Sequence, residues 1–265
     1  MTRAAPLPAV KLLPPEIGSL HLTRPRLMDR LATALERRAT IVMAGPGYGK
    51  TALLARFLKE SGETSIWYSL DPYDRDPSVF FRYLVQGIRE YVPEFGERSQ
   101  GLWEALRLGP EEPEHLVDVF IGDAEESLGG RIVLVLDGMQ HLEGAEPCAR
   151  ALRRLLANLP GAMHLMLVGR SLPALGLEPL PEESAVMRID GEDLLFTPEE
   201  TSTLLRDTFG VSADPKTIER LHARTRGWIT ALQLLRQTGR LETGDDDLPE
   251  ALFARSESEI FDSLG

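Results

Sequence analysis

The chain has 265 residues, 43% of them hydrophobic, and its 29 Lys and Arg stand against 41 Asp and Glu for a net charge of −12. That is enough apolar material for a full core, but the acidic balance offers no footprint for a phosphate backbone, so no direct nucleic-acid binding by this segment is expected. A single cysteine, Cys148, excludes an internal disulfide and a cysteine-based zinc site, and the lack of a long apolar run or a signal peptide predicts a soluble, cytoplasmic protein without membrane contact.

Residues 1–20 are proline-rich without periodicity and are expected to run extended over the surface. Thr23-Arg24-Pro25-Arg26-Leu27 opens a helix with Leu27, Leu31 and Leu35 on one face. A short strand is predicted at 40–44, then a glycine-rich loop, then a helix burying Leu53, Leu54, Phe57 and Leu58. A second strand is expected at 64–70, followed by the acidic loop Asp71 to Pro77 and a helix through Phe80, Phe81, Leu84, Val85 and Ile88. Residues 93–113 read as a long surface connection or variable insert, and a helix near 114–128 leads to Arg131-Ile-Val-Leu-Val-Leu-Asp137. That near-continuous apolar run has the form of a central parallel strand. A helix at 147–159, a fourth strand at 163–169 and a fifth at 185–190 complete an alternation of strands and helices. Such alternation predicts an α/β fold, a five-stranded parallel sheet flanked by helices.

After Phe196 the pattern turns helical. Thr197-Pro198-Glu199-Glu200 is a helix start with a capping residue, a proline and early acids, and helices are predicted at 198–209, 214–224 and 227–239. Residues 243–247 read as a solvated linker, and 248–264 as an amphipathic helix with no partner for its apolar face, which suggests a cut through a larger protein. The expected division is 1–39 (extended segment and opening helix), 40–195 (nucleotide-binding domain), 196–242 (small all-α domain) and 243–265 (linker and the start of a further domain).

The chemistry is concentrated in Gly45, Pro46, Gly47, Tyr48, Gly49, Lys50, Thr51 and Ala52, which lie between the first strand and its helix. The glycines let successive backbone N–H groups curl around a polyphosphate at a helix N-terminus. Lys50 is suited to reach the β- and γ-phosphates, and Thr51 to offer its hydroxyl to Mg²⁺. The fit to the phosphate-loop pattern is imperfect, because its first position is Ala44. Asp137, at the end of an apolar strand, is the candidate second Mg²⁺ residue. Gly138 follows where a second acid would normally orient or deprotonate the attacking water. Arg170 ends the fourth strand on the nucleotide side and is a candidate to stabilise the γ-phosphate. Asp71 and Asp74 could hold water or metal, although solvated loop acids are the simpler account. His141 reads as a helix-start or surface histidine, and Trp228 either as a core aromatic or as a cover for the nucleotide.

Taken in order, these residues resemble the STAND class of signal-transduction ATPases, and within it the maltose-regulator type of bacterial LuxR-family transcriptional activator. The resemblance rests on Thr-Arg-Pro-Arg-Leu at 23–27, Gly-Pro-Gly-Tyr-Gly-Lys-Thr at 45–51, Trp67-Tyr68-Ser69-Leu70-Asp71 and Val-Leu-Asp at 135–137. It extends through Gly169-Arg170-Ser171-Leu172-Pro173, Leu195-Phe196-Thr197 with Glu200, and Gly227-Trp228-Ile229-Thr230-Ala231-Leu232-Gln233-Leu234. It implies a P-loop ATP/ADP switch with Mg²⁺, resting with ADP held between the α/β and helical domains. An inducer, acting through domains beyond residue 265, and exchange for ATP would open the molecule and allow self-association. By the same analogy Arg24 lines the adenine side, Arg170 senses phosphate, Trp228 belongs to a nucleotide-facing motif, and 248–264 begins a winged-helix domain. Gly138 departs from the pattern and makes hydrolysis slow at most. The competing readings are a P-loop small-molecule kinase and a scaffold that binds nucleotide without turnover. A GTPase is disfavoured, because no lysine stands in an Asn-Lys-x-Asp motif.

Overall fold

The apolar runs pair as their length and β-branching dictate. A computed structural model describes residues 9–16, 22–97, 101, 113–173, 186–239 and 241. The strands are β1 (Ala39–Met43), β2 (Thr64–Ser69), β3 (Ile132–Asp137), β4 (Met163–Gly169) and β5 (Val186–Ile189). They form one sheet in the order β2-β3-β4-β1-β5, and every pairing is parallel. All five C-terminal ends therefore open on the same edge, where the loops after β1, β3 and β4 meet.

Alternation along the strands separates two cores. Val42, Trp67, Val133, Val135, Met166 and Val168 face α1 (Pro25–Ala34) and α2 (Lys50–Ser61). Ile41, Ile66, Tyr68, Leu134, Leu136, Leu165 and Leu167 face the opposite layer. That layer is built from α3 (Pro77–Arg89), α4 (Pro113–Ser127) and α5 (Glu146–Ala157). A short turn, α6 (Gly191–Leu194), follows β5. Three further helices, α7 (Pro198–Thr203), α8 (Pro215–Thr225) and α9 (Ile229–Gln237), share a third apolar cluster centred on Phe196, Leu204, Leu205, Leu232 and Leu235.

Several expectations change in the folded chain. The N-terminal segment is not simply extended: Ala9–Leu12 forms a 3-10 turn, and Leu12 packs against the core. Lys11 pins this turn by pairing at 2.8 Å with both Asp71 and Asp74. Asp74 is fully buried, accepts from the Tyr68 hydroxyl at 2.7 Å and from the Asp71 N–H, and its environment is structural. Burial acts to lower the Lys11 pKa, but the hydrogen bonds to Asp71 and Asp74 outweigh it and the net shift is upward. Within 93–113, Phe95 is wholly buried edge-on to Phe120, so that part of the connection belongs to the core. The helix expected at 198–209 widens after Thr203 into a π turn, Leu204–Thr208, where the consecutive Leu204 and Leu205 are both buried. The predicted helix 248–264 and the linker before it lie outside the described residues.

His164 sits on β4 beneath this frame at 1% exposure. Its Nε2 meets the Thr40 hydroxyl at 2.9 Å and its Nδ1 meets the Arg37 carbonyl at 2.8 Å. Burial holds its pKa below the ordinary imidazole value of 6.5. The unfolded chain takes up a proton there that the folded chain resists, so stability falls as the pH drops below 6.5 and this contribution is flat above it. Thermal unfolding followed between about pH 5 and 7 should show this slope reduced in His164→Gln; equal slopes in the two proteins would remove His164 from the account.

Candidate functional site

The loop after β1 is shaped by two glycines in the left-handed region, Gly47 at φ +73° and Gly49 at φ +77°. Gly49 is also the N-cap of α2, so the helix starts with its free N–H groups facing the crevice. Lys50 folds back along the loop and donates to the Ala44 carbonyl at 2.7 Å and the Gly45 carbonyl at 2.6 Å. Alanine suffices at position 44 because its backbone serves the site: its N–H donates to the Gly169 carbonyl and its carbonyl accepts from Lys50.

From β3, Asp137 accepts from the Thr51 hydroxyl at 2.9 Å. Burial pushes its carboxyl above the ordinary carboxylate range, while the Thr51 hydrogen bond and the Lys50 charge pull the other way. A hydroxyl and a carboxylate are hard oxygen donors of the kind Mg²⁺ takes beside phosphate oxygens and water, so the pair fits that ion. Among the described residues no three His, Cys, Asp or Glu side chains converge as a protein-only metal cage. Arg170, exposed at the end of β4, completes the rim, with its backbone N–H donating to Gln140 Oε1 at 3.2 Å.

These groups line one cavity of about 530 Å³, which the sequence-predicted Pro46, Gly47, Gly49, Lys50, Thr51, Ala52, Asp137 and Arg170 share with Gln140 and His141. A second cavity of about 230 Å³ lies on the other side of the same loop. Gly47, Gly49 and Ala52 border both. The second is closed by Arg24 and Met28 from the opening helix, by Tyr48, and by Phe196, Ile229 and Gln233 from the helical part. The sequence-predicted Gly45 lines neither cavity; its carbonyl accepts from Lys50.

Arg24 is 5% exposed and donates to the carbonyls of Leu194 (2.7 Å) and Leu195 (2.6 Å) and to Glu200 (2.9 Å). Burial lowers its pKa despite the Glu200 carboxylate beside it. Trp228 does not border either cavity; it is the N-cap residue of α9 and packs on Tyr48 with ring centroids 6.2 Å apart. Sequence reasoning gave no role of its own to Thr230 within the Gly227–Leu234 string, and its hydroxyl donates to the Gly47 carbonyl at 2.7 Å. Gln233 and Arg56 also reach the second cavity without having been singled out. For Gln233 the signal lay in the helical period, since it stands one turn after Ile229 on α9.

Gly138 has a physical reason to lack a side chain. It sits at φ +98°, and a Cβ there would lie 3.0 Å from the Leu70 carbonyl and 3.1 Å from His141 Cδ2. Restoring an acid as Gly138→Glu should therefore cost about 1–3 kcal/mol of stability, measured by urea unfolding, without raising nucleotide turnover. A variant as stable as the parent would contradict this geometry.

Residues 33–174 match the family model described as AAA domain, and the chain belongs to that family. It is 30% identical to the HTH-type transcriptional regulator MalT of Vibrio cholerae over 220 residues, covering 82% of this chain and 24% of that protein. The MalT of Cronobacter sakazakii is 29% identical over 224 residues, with 84% and 24% covered. The chain thus spans about a quarter of the length of these curated relatives. Among solved structures it is similar to a signal transduction ATPase with numerous domains, carrying a tetratricopeptide repeat sensor, from Pyrococcus horikoshii. There the TM-score is 0.63 at 18% identity, covering 98% of this chain and 35% of that one. A Walker-type ATPase of Pyrococcus abyssi gives a TM-score of 0.50 at 16% identity, covering 83% of this chain and 70% of that one. The sheet, the phosphate loop and the family together make the chain a P-loop nucleotide-binding module of the AAA type.

Proposed function

We propose that this AAA-family chain is the ATP/ADP switch module of a larger transcriptional regulator, resting with ADP and active with ATP. The observation that carries the reading is the shared wall of the two cavities: Gly47, Gly49 and Ala52 border both a crevice lined by Lys50, Thr51, Asp137 and Arg170 and a pocket lined by Met28, Tyr48, Phe196 and Ile229. A nucleotide lying across that wall would have its phosphates beside Lys50, Thr51 and Arg170, and its base against Tyr48, Met28 and Phe196 with Arg24 behind it. Residues 40–195 are the nucleotide-binding part on this reading, and 196–242 form a helical cover. Thr51 and Asp137 would hold Mg²⁺, which supplies positive charge to the terminal phosphates when bound. Lys50 would exchange its two loop carbonyls for phosphate oxygens, a stronger acceptor for an ammonium. Arg170 would report the γ-phosphate, and Trp228 would pass the loop's state to α9 through Tyr48.

A ligand moves a two-state equilibrium only by its difference in affinity for the two states. The helical cover already touches the loop through Thr230 and Trp228, so a third phosphate that displaces Gly47 or Tyr48 would loosen it. On this reading the protein works in the cytoplasm, an inducer acts through domains beyond residue 265, and the ATP form self-associates. No helix among the described residues is long and apolar enough to cross a membrane. A small-molecule kinase is less well supported: Arg150 and Arg154, the arginine-rich stretch that could supply a lid, pair instead with Glu114 and Asp118 on α4.

Denaturing the purified protein and separating the supernatant by chromatography should release ADP in a near one-to-one ratio. Lys50→Ala should weaken ADP and ATP alike by about two orders of magnitude in equilibrium binding, and retained affinity would end the switch reading. Arg170→Ala should weaken ATP by at least about tenfold more than ADP, as expected for one lost charge-assisted contact. Equal losses would make Arg170 a bystander.

A further inference from the structure

We propose that His141 is the proton acceptor for water attacking the terminal phosphate, in the position an acid after Asp137 would otherwise fill. The inference rests on the switch reading above and gives that site its turnover chemistry. His141 belongs to the 3-10 turn Met139–Leu142 that follows β3, and its backbone is fixed at both ends. Its N–H donates to the Gly138 carbonyl at 2.9 Å, and its own carbonyl accepts from Arg75 Nε at 2.9 Å. The half-buried imidazole lines the same cavity as Lys50, Thr51, Asp137 and Arg170.

Two side chains compete for one place here. A Cβ at position 138 would stand 3.1 Å from the imidazole Cδ2, and it would stand 3.0 Å from the Leu70 carbonyl on its other side. The ring therefore occupies the direction in which residue 138 would project, and glycine is what admits it. Among the described residues, neither ring nitrogen has a hydrogen-bond partner. The charged groups around it are Asp71, whose carboxylate interacts electrostatically with the ring, Asp137 at the end of β3, Lys50 in the loop, Arg170 after β4 and Arg75 behind the turn. An imidazole on the crevice wall with both nitrogens uncommitted has the chemistry of a proton acceptor for a water in that crevice.

The step balances without another reagent. The water oxygen forms a bond to the γ-phosphorus as the bond to the β–γ bridging oxygen breaks. The water proton passes to an imidazole nitrogen of His141 and then to solvent, leaving ADP and inorganic phosphate. Gln140 helps only by position, its Oε1 holding the Arg170 backbone N–H beside the ring.

The test uses the 265-residue chain, its His141→Ala and His141→Gln variants, and ATP binding measured first on every sample. Both variants should bind ATP within about twofold of the parent and lose on the order of a hundredfold in single-turnover hydrolysis. The parent rate should fall on the acid side, and that limb should vanish in His141→Gln, which hydrogen-bonds but accepts no proton. A third readout is independent of turnover: the His141 imidazole proton resonance should titrate at higher pH with a non-hydrolysable ATP analogue bound than with ADP. Variants that hydrolyse at the parent rate, an acid limb that survives, a parent that binds ATP without turnover, or a resonance indifferent to the third phosphate would each overturn the proposal. A parent that binds no nucleotide would overturn the switch reading itself, and the binding data tell that failure apart.

Discussion

The arrangement of this molecule depends on a buried arginine. Arg24 lies at 5% exposure at the head of α1, and its guanidinium donates to Leu194, Leu195 and Glu200 in the stretch that joins the sheet to the helical part. Glu200 answers it from the first turn of α7 and also bonds Arg26 at 3.0 Å. The same carboxylate closes the capping box with Thr197, so one side chain starts a helix and ties it to another. The two arginines hold the Glu200 carboxyl below its ordinary range against the opposing effect of burial. Breaking a buried pair strands a charge at a cost of several kcal/mol, about what one or two buried leucines contribute. The clamp therefore holds the helical part by geometry as much as by affinity, with the guanidinium lying 4.2 Å over the Phe196 ring.

From that anchor the approach to the phosphate loop follows step by step. Phe196 donates its backbone N–H to the Gly227 carbonyl at 2.8 Å, and the two chains pass so close that a Cβ at 227 would lie 2.1 Å from the Phe196 carbonyl oxygen. The chain turns through Arg226 and Gly227, both at positive φ, and launches α9 toward the loop. Thr230 then reaches the Gly47 carbonyl, where a Cβ on Gly47 would come within 2.3 Å of the threonine hydroxyl. Glycine at 47 thus serves two masters, the positive φ of the loop and the close seat of the helical part. A change in the loop backbone cannot leave α9 unmoved, because packed contacts at this distance have no slack to absorb it.

Much of this was legible in the sequence, and the boundary of legibility has a physical cause. The strands at 132–137 and 163–169 announced themselves because a strand buried on both faces needs an unbroken apolar run. The phosphate loop was legible because its chemistry is carried by consecutive residues. What stayed hidden depends on contacts between distant parts of the chain. Lys11 with Asp71 and Asp74, Phe95 against Phe120, and Thr230 on Gly47 are each separated by tens of residues, and no local period reports them. Gly138 was visible as a missing acid, but the reason for it was not, since a positive φ and a neighbouring imidazole leave no trace in composition. Trp228 stood between two accounts, and its place against Tyr48 beside the loop, outside both cavities, is a third.

A chain of net charge −12 holding a polyphosphate poses an electrostatic question that distance answers. At physiological ionic strength exposed charges are screened beyond about 8 Å, so acids scattered over the surface contribute little at the crevice. What acts there is local: the Lys50 ammonium, the Arg170 guanidinium and the N-terminal N–H groups of α2, all on one cavity wall. Against them stands Asp137, whose carboxyl burial pushes above its ordinary range. The acidic surface and the phosphate crevice are therefore compatible. The crevice needs only the few donors within reach of its ligand.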